Sequence, residues 1–139
     1  FTVAHTITLA LTIYGVVSLP ASIVEPLIAL SILYVAIENV FTDRLHAWRP
    51  LVVFCFGLLH GMGFAGVLSE IGLPRSEFVP ALLSFNIGVE AGQLTVILIA
   101  FLLLGLPFRG KPWYRTRIVI PCSLLIATMG LYWFIERVS

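Results

Sequence analysis

Charge is what this sequence has least of. Only 11% of its 139 residues are Asp, Glu, Lys or Arg, against 60% hydrophobic, where a soluble domain carries roughly a quarter charged residues. A soluble core of this length needs a polar shell, and the residues for one are missing, so the bilayer must be the solvent for most of the surface. Eight basic residues against seven acidic ones give a net charge of +1, which leaves no basic face for nucleic acid. Cysteine is nearly absent. Cys55 and Cys122 stand in separate apolar runs without a CxxC pair, which argues against a disulfide framework and against a thiolate metal site. There is no initiating Met, no basic leader, no ATP-binding motif, no HExxH and no internal repeat. Because Phe1 falls within an apolar run, the sequence is expected to be part of a longer chain.

What is present is a series of apolar runs separated by Pro, Gly and charge. They cover residues 2–19, 23–41, 51–71, 79–106 and 118–135. Each approximates the ~20 residues that a helix needs to cross about 30 Å of hydrocarbon, and none alternates as a barrel strand would. The expected fold is all-α, a polytopic bundle of about five membrane-spanning helices forming one domain over residues 1–139. Arg44, Arg49, Arg109, Lys111, Arg115 and Arg117 fall in the second and fourth connections, with Arg75 and Arg137 on the other side. The positive-inside rule then puts Phe1 at the cytoplasmic face and Ser139 outside. Trp48, Trp113 and Tyr114 flank the basic loops, as an interfacial aromatic belt would.

Ionisable residues in hydrocarbon cost several kcal/mol even on lenient scales and need a partner or a task. The candidates are His5, Glu25, Glu38, His60 and Glu90, with the amides Asn39, Asn86 and Gln93. His60 lies about 15 Å along its helix from Pro50, near mid-membrane. Gly57 and Gly61 bracket it in one GxxxG pair, and Gly88 and Gly92 bracket Glu90 in another. Such ridges admit close helix contact, so the third and fourth helices are expected to bring His60 and Glu90 together. Asn86, Glu90 and Gln93 share one helix face, as do His5, Thr8 and Thr12. His5 and Glu38, with Asn39, would form an inner station. Glu25 reads as an outer, solvated charge, as do Glu70, Glu77 and Glu136 at segment ends; His46 reads as a solvated loop residue. The plainer alternative is that these groups serve as interhelical hydrogen bonds, with His5 snorkelling to the surface and the threonines bonding back to their own helix. Imidazoles with carboxylates and amides, and without thiolates, suit a borderline divalent cation such as Ni, Co, Zn or Cu. Incomplete ligand sets at several depths suit a path better than a closed site.

At these motifs the sequence resembles the HupE/UreJ family of bacterial membrane proteins. Phe1-Thr2-Val3-Ala4-His5-Thr6-Ile7-Thr8-Leu9 is similar to that family's FTxAHSxTL, with Thr6 for the usual Ser. The stretch from Phe56 to Ala65 is similar to FGLxHGxGFA, and the stretch from Phe85 to Gln93 to FNxGVExGQ. Val24-Glu25, Ala29-Leu30-Ser31 and Glu38-Asn39 extend the likeness through the second run. The resemblance implies nickel supply to hydrogenase or urease, with nickel as substrate. It also implies a further upstream helix carrying an HxxxGxDH motif, making this the C-terminal part of a protein of six or more helices.

The expected function is a permease of the bacterial cytoplasmic membrane for a divalent transition metal, nickel first, and not an enzyme. His60 and Glu90 bind the ion, His5 with Glu38 passes it inward, and Asn86, Gln93, Thr8, Asn39 and Glu25 support. Three rivals stand beside it: a subunit of a larger membrane complex or homo-oligomer, a haem protein using His5 and His60, and an intramembrane metallohydrolase.

Overall fold

The computed structural model describes residues 1–44, 46–70, 72 and 74–139, with the side chains at 67–70 and 75 outside the description. Apolar runs with no surrounding water must satisfy their backbone internally, and helices do so within each run. Five form: α1 (Thr2–Ile13), α2 (Ala21–Phe41), α3 (Arg49–Glu70), α4 (Phe78–Phe108) and α5 (Arg115–Val138). Helices α2 to α5 are each long and apolar enough to cross a bilayer. The chain is therefore a multi-pass membrane protein, and no strand occurs among its described residues.

The first run departs from expectation. Helix α1 has 12 residues, about 18 Å at 1.5 Å per residue, and stops well before Leu19. Its end is a Schellman turn: the Gly15 amide bonds the Thr12 carbonyl at 3.0 Å and the Val16 amide bonds the Leu11 carbonyl at 2.8 Å. Gly15 sits at φ +74°, a left-handed conformation that costs other L-residues about 1–2 kcal/mol. Gly15→Ala is therefore expected to destabilise the folded protein by about 1 kcal/mol, measurable by denaturant titration in detergent.

Prolines shape the last two helices in the same way. A widened π turn at Phe101–Gly105 precedes Pro107, and another at Arg115–Val119 precedes Pro121. Proline removes an amide donor and crowds the carbonyl four residues back; widening the preceding turn relieves both effects.

Helix neighbours run in the order α4, α1, α3, α2, α5. Small residues set the closest approaches. A Cβ at Gly57 would lie 2.7 Å from the Phe1 carbonyl oxygen and 2.9 Å from Ala4 Cβ, and one at Gly61 would overlap the His5 carbonyl oxygen. Thus the GxxxG ridge of α3 receives α1, whereas a Cβ at Gly88 or Gly92 would meet nothing within 4 Å. The expected α3–α4 ridge contact is corrected: α1 lies where that contact was placed. On the other side, Ser123, Ala127 and Gly130 are buried along α5, and a Gly130 Cβ would come within 3.0 Å of the Leu33 amide nitrogen of α2. Arg115 ties the basic end together by donating to the free carbonyls of Val40 at 3.0 Å and Thr42 at 3.2 Å, the last turn of α2.

Candidate functional site between α1, α3 and α4

Because α1 is wedged between α3 and α4, the side chains on its flanks face both neighbours. His5 is 1% exposed, which excludes snorkelling. Its ring lies between those of Phe1 and Phe85, each with centroid at 6.0 Å and nearly parallel, and meets Phe64 edge-on at 5.5 Å. Three aromatic rings keep water from the imidazole.

Hydrogen bonds fix which tautomer it carries. The Asn86 amide nitrogen donates to the Leu82 carbonyl at 2.8 Å; a carbonyl can only accept, so the Asn86 oxygen is the atom turned toward α1. That oxygen lies 3.0 Å from His5 Nδ1 and 2.9 Å from the Thr6 hydroxyl. His5 Nδ1 therefore donates, and the lone pair is left on Nε2. Among the described residues, Nε2 is buried with no hydrogen-bond partner. Leaving a buried acceptor unmade costs about 1–3 kcal/mol. An imidazole held by an outer amide oxygen with its other nitrogen free is the arrangement that orients a metal-ligating histidine.

One turn along the same seam, the Thr2 hydroxyl donates to Glu90 Oε2. Glu90 is half-buried and thus places a carboxylate on the α4 side of the His5 pocket. The Glu90→Gln variant keeps an oxygen for Thr2 and removes the charge alone. It is expected to fold with the parent's helical content and thermal stability, read by circular dichroism in detergent.

His60 is elsewhere than expected. Its Nδ1 donates to the Phe56 carbonyl of its own helix at 2.7 Å, and its ring borders a cavity of about 290 Å³ with Asn39, Ser31 and Ser123. The expected His60–Glu90 pair is not formed; the Phe1 ring, edge-on to His60 at 5.1 Å, adjoins both histidines. Nor do His5 and Glu38 form one station. Glu38 faces Arg49 Nε at 3.7 Å and His46 Nδ1 at 3.6 Å, and Asn39 accepts from Arg49 at 2.6 Å. The docking of α1 between α3 and α4 accounts for both corrections.

The remaining candidates divide plainly. Thr8 and Thr12 bond back to the Ala4 and Thr8 carbonyls at 2.8 Å, and Thr8 packs against Gly61. Gln93 shares the Asn86–Glu90 face but is exposed, one turn past the start of α1. Glu25 is half-exposed and pairs with Arg137 at 3.4 Å, beside a cavity of about 320 Å³. Glu77 and Glu136 are exposed, while the side chain of Glu70 lies outside the described residues. His46 is part of the Glu38 cluster and not simply solvated. Sequence reasoning gave no role to Thr2 and Thr6; their spacing of three and one from His5 was the available signal. Among the described residues no three His, Cys, Asp or Glu side chains converge, so any cation here must also use amide, hydroxyl or backbone oxygens.

A family model described as HupE / UreJ protein matches residues 1–137, essentially the whole chain. No curated protein and no solved structure matches it.

Proposed function

The chain belongs to the HupE / UreJ family, and from that premise we propose that it is a permease for a divalent transition-metal ion, nickel first, in the bacterial cytoplasmic membrane. The observation that carries this reading is the buried, unpartnered Nε2 of His5, presented by Asn86 inside an aromatic enclosure. Imidazole nitrogen suits Ni, Co, Zn and Cu, and Glu90, bonded to Thr2 on the same α1–α4 seam, supplies a compensating charge. One imidazole, one carboxylate and weak oxygen donors make an incomplete ligand set, which lets an ion leave as well as enter. The basic connections after α2 and α4 lie on the cytoplasmic side. An inward-negative membrane potential would favour entry by about 2.3 kcal/mol per charge per 100 mV. The role is transport or metal supply and not catalysis.

The test is accumulation of radiolabelled nickel by cells expressing the full-length protein, with unlabelled Co, Zn and Cu as competitors. Accumulation above that of cells without the protein, suppressed most by unlabelled nickel, is expected. Equal accumulation in both would end the reading.

A second reading, a subunit of a larger membrane complex or a homo-oligomer, is favoured by one observation. Helix α4 meets the rest of the molecule along its α1 seam, and its Gly88 and Gly92 face open space. Native copurification with other membrane subunits, without metal flux, would support it over transport.

A further inference from the structure

We propose a second cation site at the Thr42/Arg49 end of the bundle, formed by Glu38, His46 and Asn39, in which the Arg49 guanidinium stands in for a divalent metal ion. The Glu38 side chain is only 10% exposed, and neither carboxylate oxygen has a hydrogen-bond partner among the described residues. A buried carboxylate normally gathers donors at hydrogen-bond distance; this one is faced by charge at a distance instead. Its Oε1 lies 3.6 Å from His46 Nδ1 and its Oε2 lies 3.7 Å from Arg49 Nε.

The spacing has a chemical meaning. Two ligand atoms each about 2.1 Å from one tetrahedral ion sit about 3.4 Å apart. Glu38 Oε1 and His46 Nδ1, 3.6 Å apart, are within a few tenths of an ångström of that separation and too far apart for a hydrogen bond. Asn39 Oδ1 is already turned to a cation, accepting from Arg49 Nη2 at 2.6 Å. One guanidinium thus occupies both the carboxylate and the amide oxygen, which are the hard donors of the set. When Arg49 swings out, Glu38, Asn39 and His46 offer one carboxylate, one amide oxygen and one imidazole, a mixed set suited to borderline divalent ions.

The site also has a place in the pathway. Asn39 borders the cavity that His60 lines, so the cluster stands at that cavity's loop-side mouth. If the permease reading holds, this is the release station, with Arg49 returning to displace the ion. Only this assignment of direction rests on that reading; the binding itself does not.

Trp48 stacks on His46 with centroids 5.4 Å apart, and a paramagnetic ion on His46 quenches a neighbouring indole. The experiment is titration of full-length protein in detergent with nickel chloride, following Trp48 fluorescence in a background where every other Trp, Trp113 and Trp133 included, is replaced by Phe. Saturable quenching is expected. It should weaken at least tenfold in affinity in His46→Gln and in Glu38→Gln, and strengthen severalfold in Arg49→Gln, where the competing cation is gone. His46 is in a loop and 44% exposed at its side chain, so that variant tests binding even where Glu38→Gln fails to fold. Quenching unchanged by His46→Gln, or absent from folded protein, overturns the site. Either result would leave the His5 transport reading standing, since nickel accumulation dependent on His5 is measured separately.

Discussion

Replacing His5 with alanine is expected to lower nickel accumulation by more than tenfold, to that of cells lacking the protein, while leaving the protein folded. The effect is large because no other group in the pocket can take over. Glu90 is engaged by Thr2, Asn86 offers an oxygen already shared by two neighbours, and the surrounding rings of Phe1, Phe64 and Phe85 carry no donor. Removing the imidazole also removes the buried, unpartnered acceptor whose desolvation costs about 1–3 kcal/mol, which offsets part of the cost of the cavity left among the three rings. Loss of transport with retained stability separates a ligand from a packing residue. Asn86→Ala makes the complementary case: it leaves the imidazole but frees its orientation, and outer-shell losses of this kind typically weaken metal binding by 10–100-fold. Helical content and elution volume of each variant check the fold; unchanged nickel accumulation by folded His5→Ala would remove the proposed role.

The second large effect is structural. Gly61→Val is expected to abolish the α1–α3 contact and leave little monodisperse protein. A Cβ there would overlap the His5 carbonyl oxygen and come within 2.8 Å of Thr8 Oγ1 and 3.0 Å of the Leu9 amide nitrogen. Two of these three atoms belong to the backbone and cannot rotate away. Overpacking commonly costs about 1–3 kcal/mol, and a branched side chain against the α1 backbone belongs at the top of that range. Gly110→Ala, in the connection after α4, meets nothing within 4 Å and should purify as the parent does. Yield and thermal unfolding in detergent distinguish the two; equal stability would mean that α1 does not seat on α3 as described.

These two variants touch the parts of the molecule that were most and least legible in the sequence. The all-helical, multi-pass architecture could be read from run length and charge scarcity, because hydrocarbon leaves a chain few alternatives. The polar residues that matter could be found for the same reason, since each is costly in an apolar setting. Their pairing could not. The Gly57–Gly61 ridge announced a close helix contact without naming the partner, and Ala4 and Thr8 of α1, at matching spacing, were passed over for Gly88 and Gly92 of α4. The end of α1 was written at Gly15, but a hydropathic run through Val16, Val17 and Leu19 hid it. The turn at Tyr14 and Gly15 and the bend that follows make that run a helix stop. His46 could not be placed because a loop histidine reaches a partner through tertiary geometry alone, and Glu38 supplied one.

The coordinating atom is the central claim, and nickel K-edge X-ray absorption of the nickel-loaded, full-length protein tests it most directly. In a His46→Gln background, imidazole scattering from a nitrogen at about 2.1 Å is expected, diminished when His5 is also replaced by alanine. Imidazole scattering that persists undiminished without His5 would contradict it.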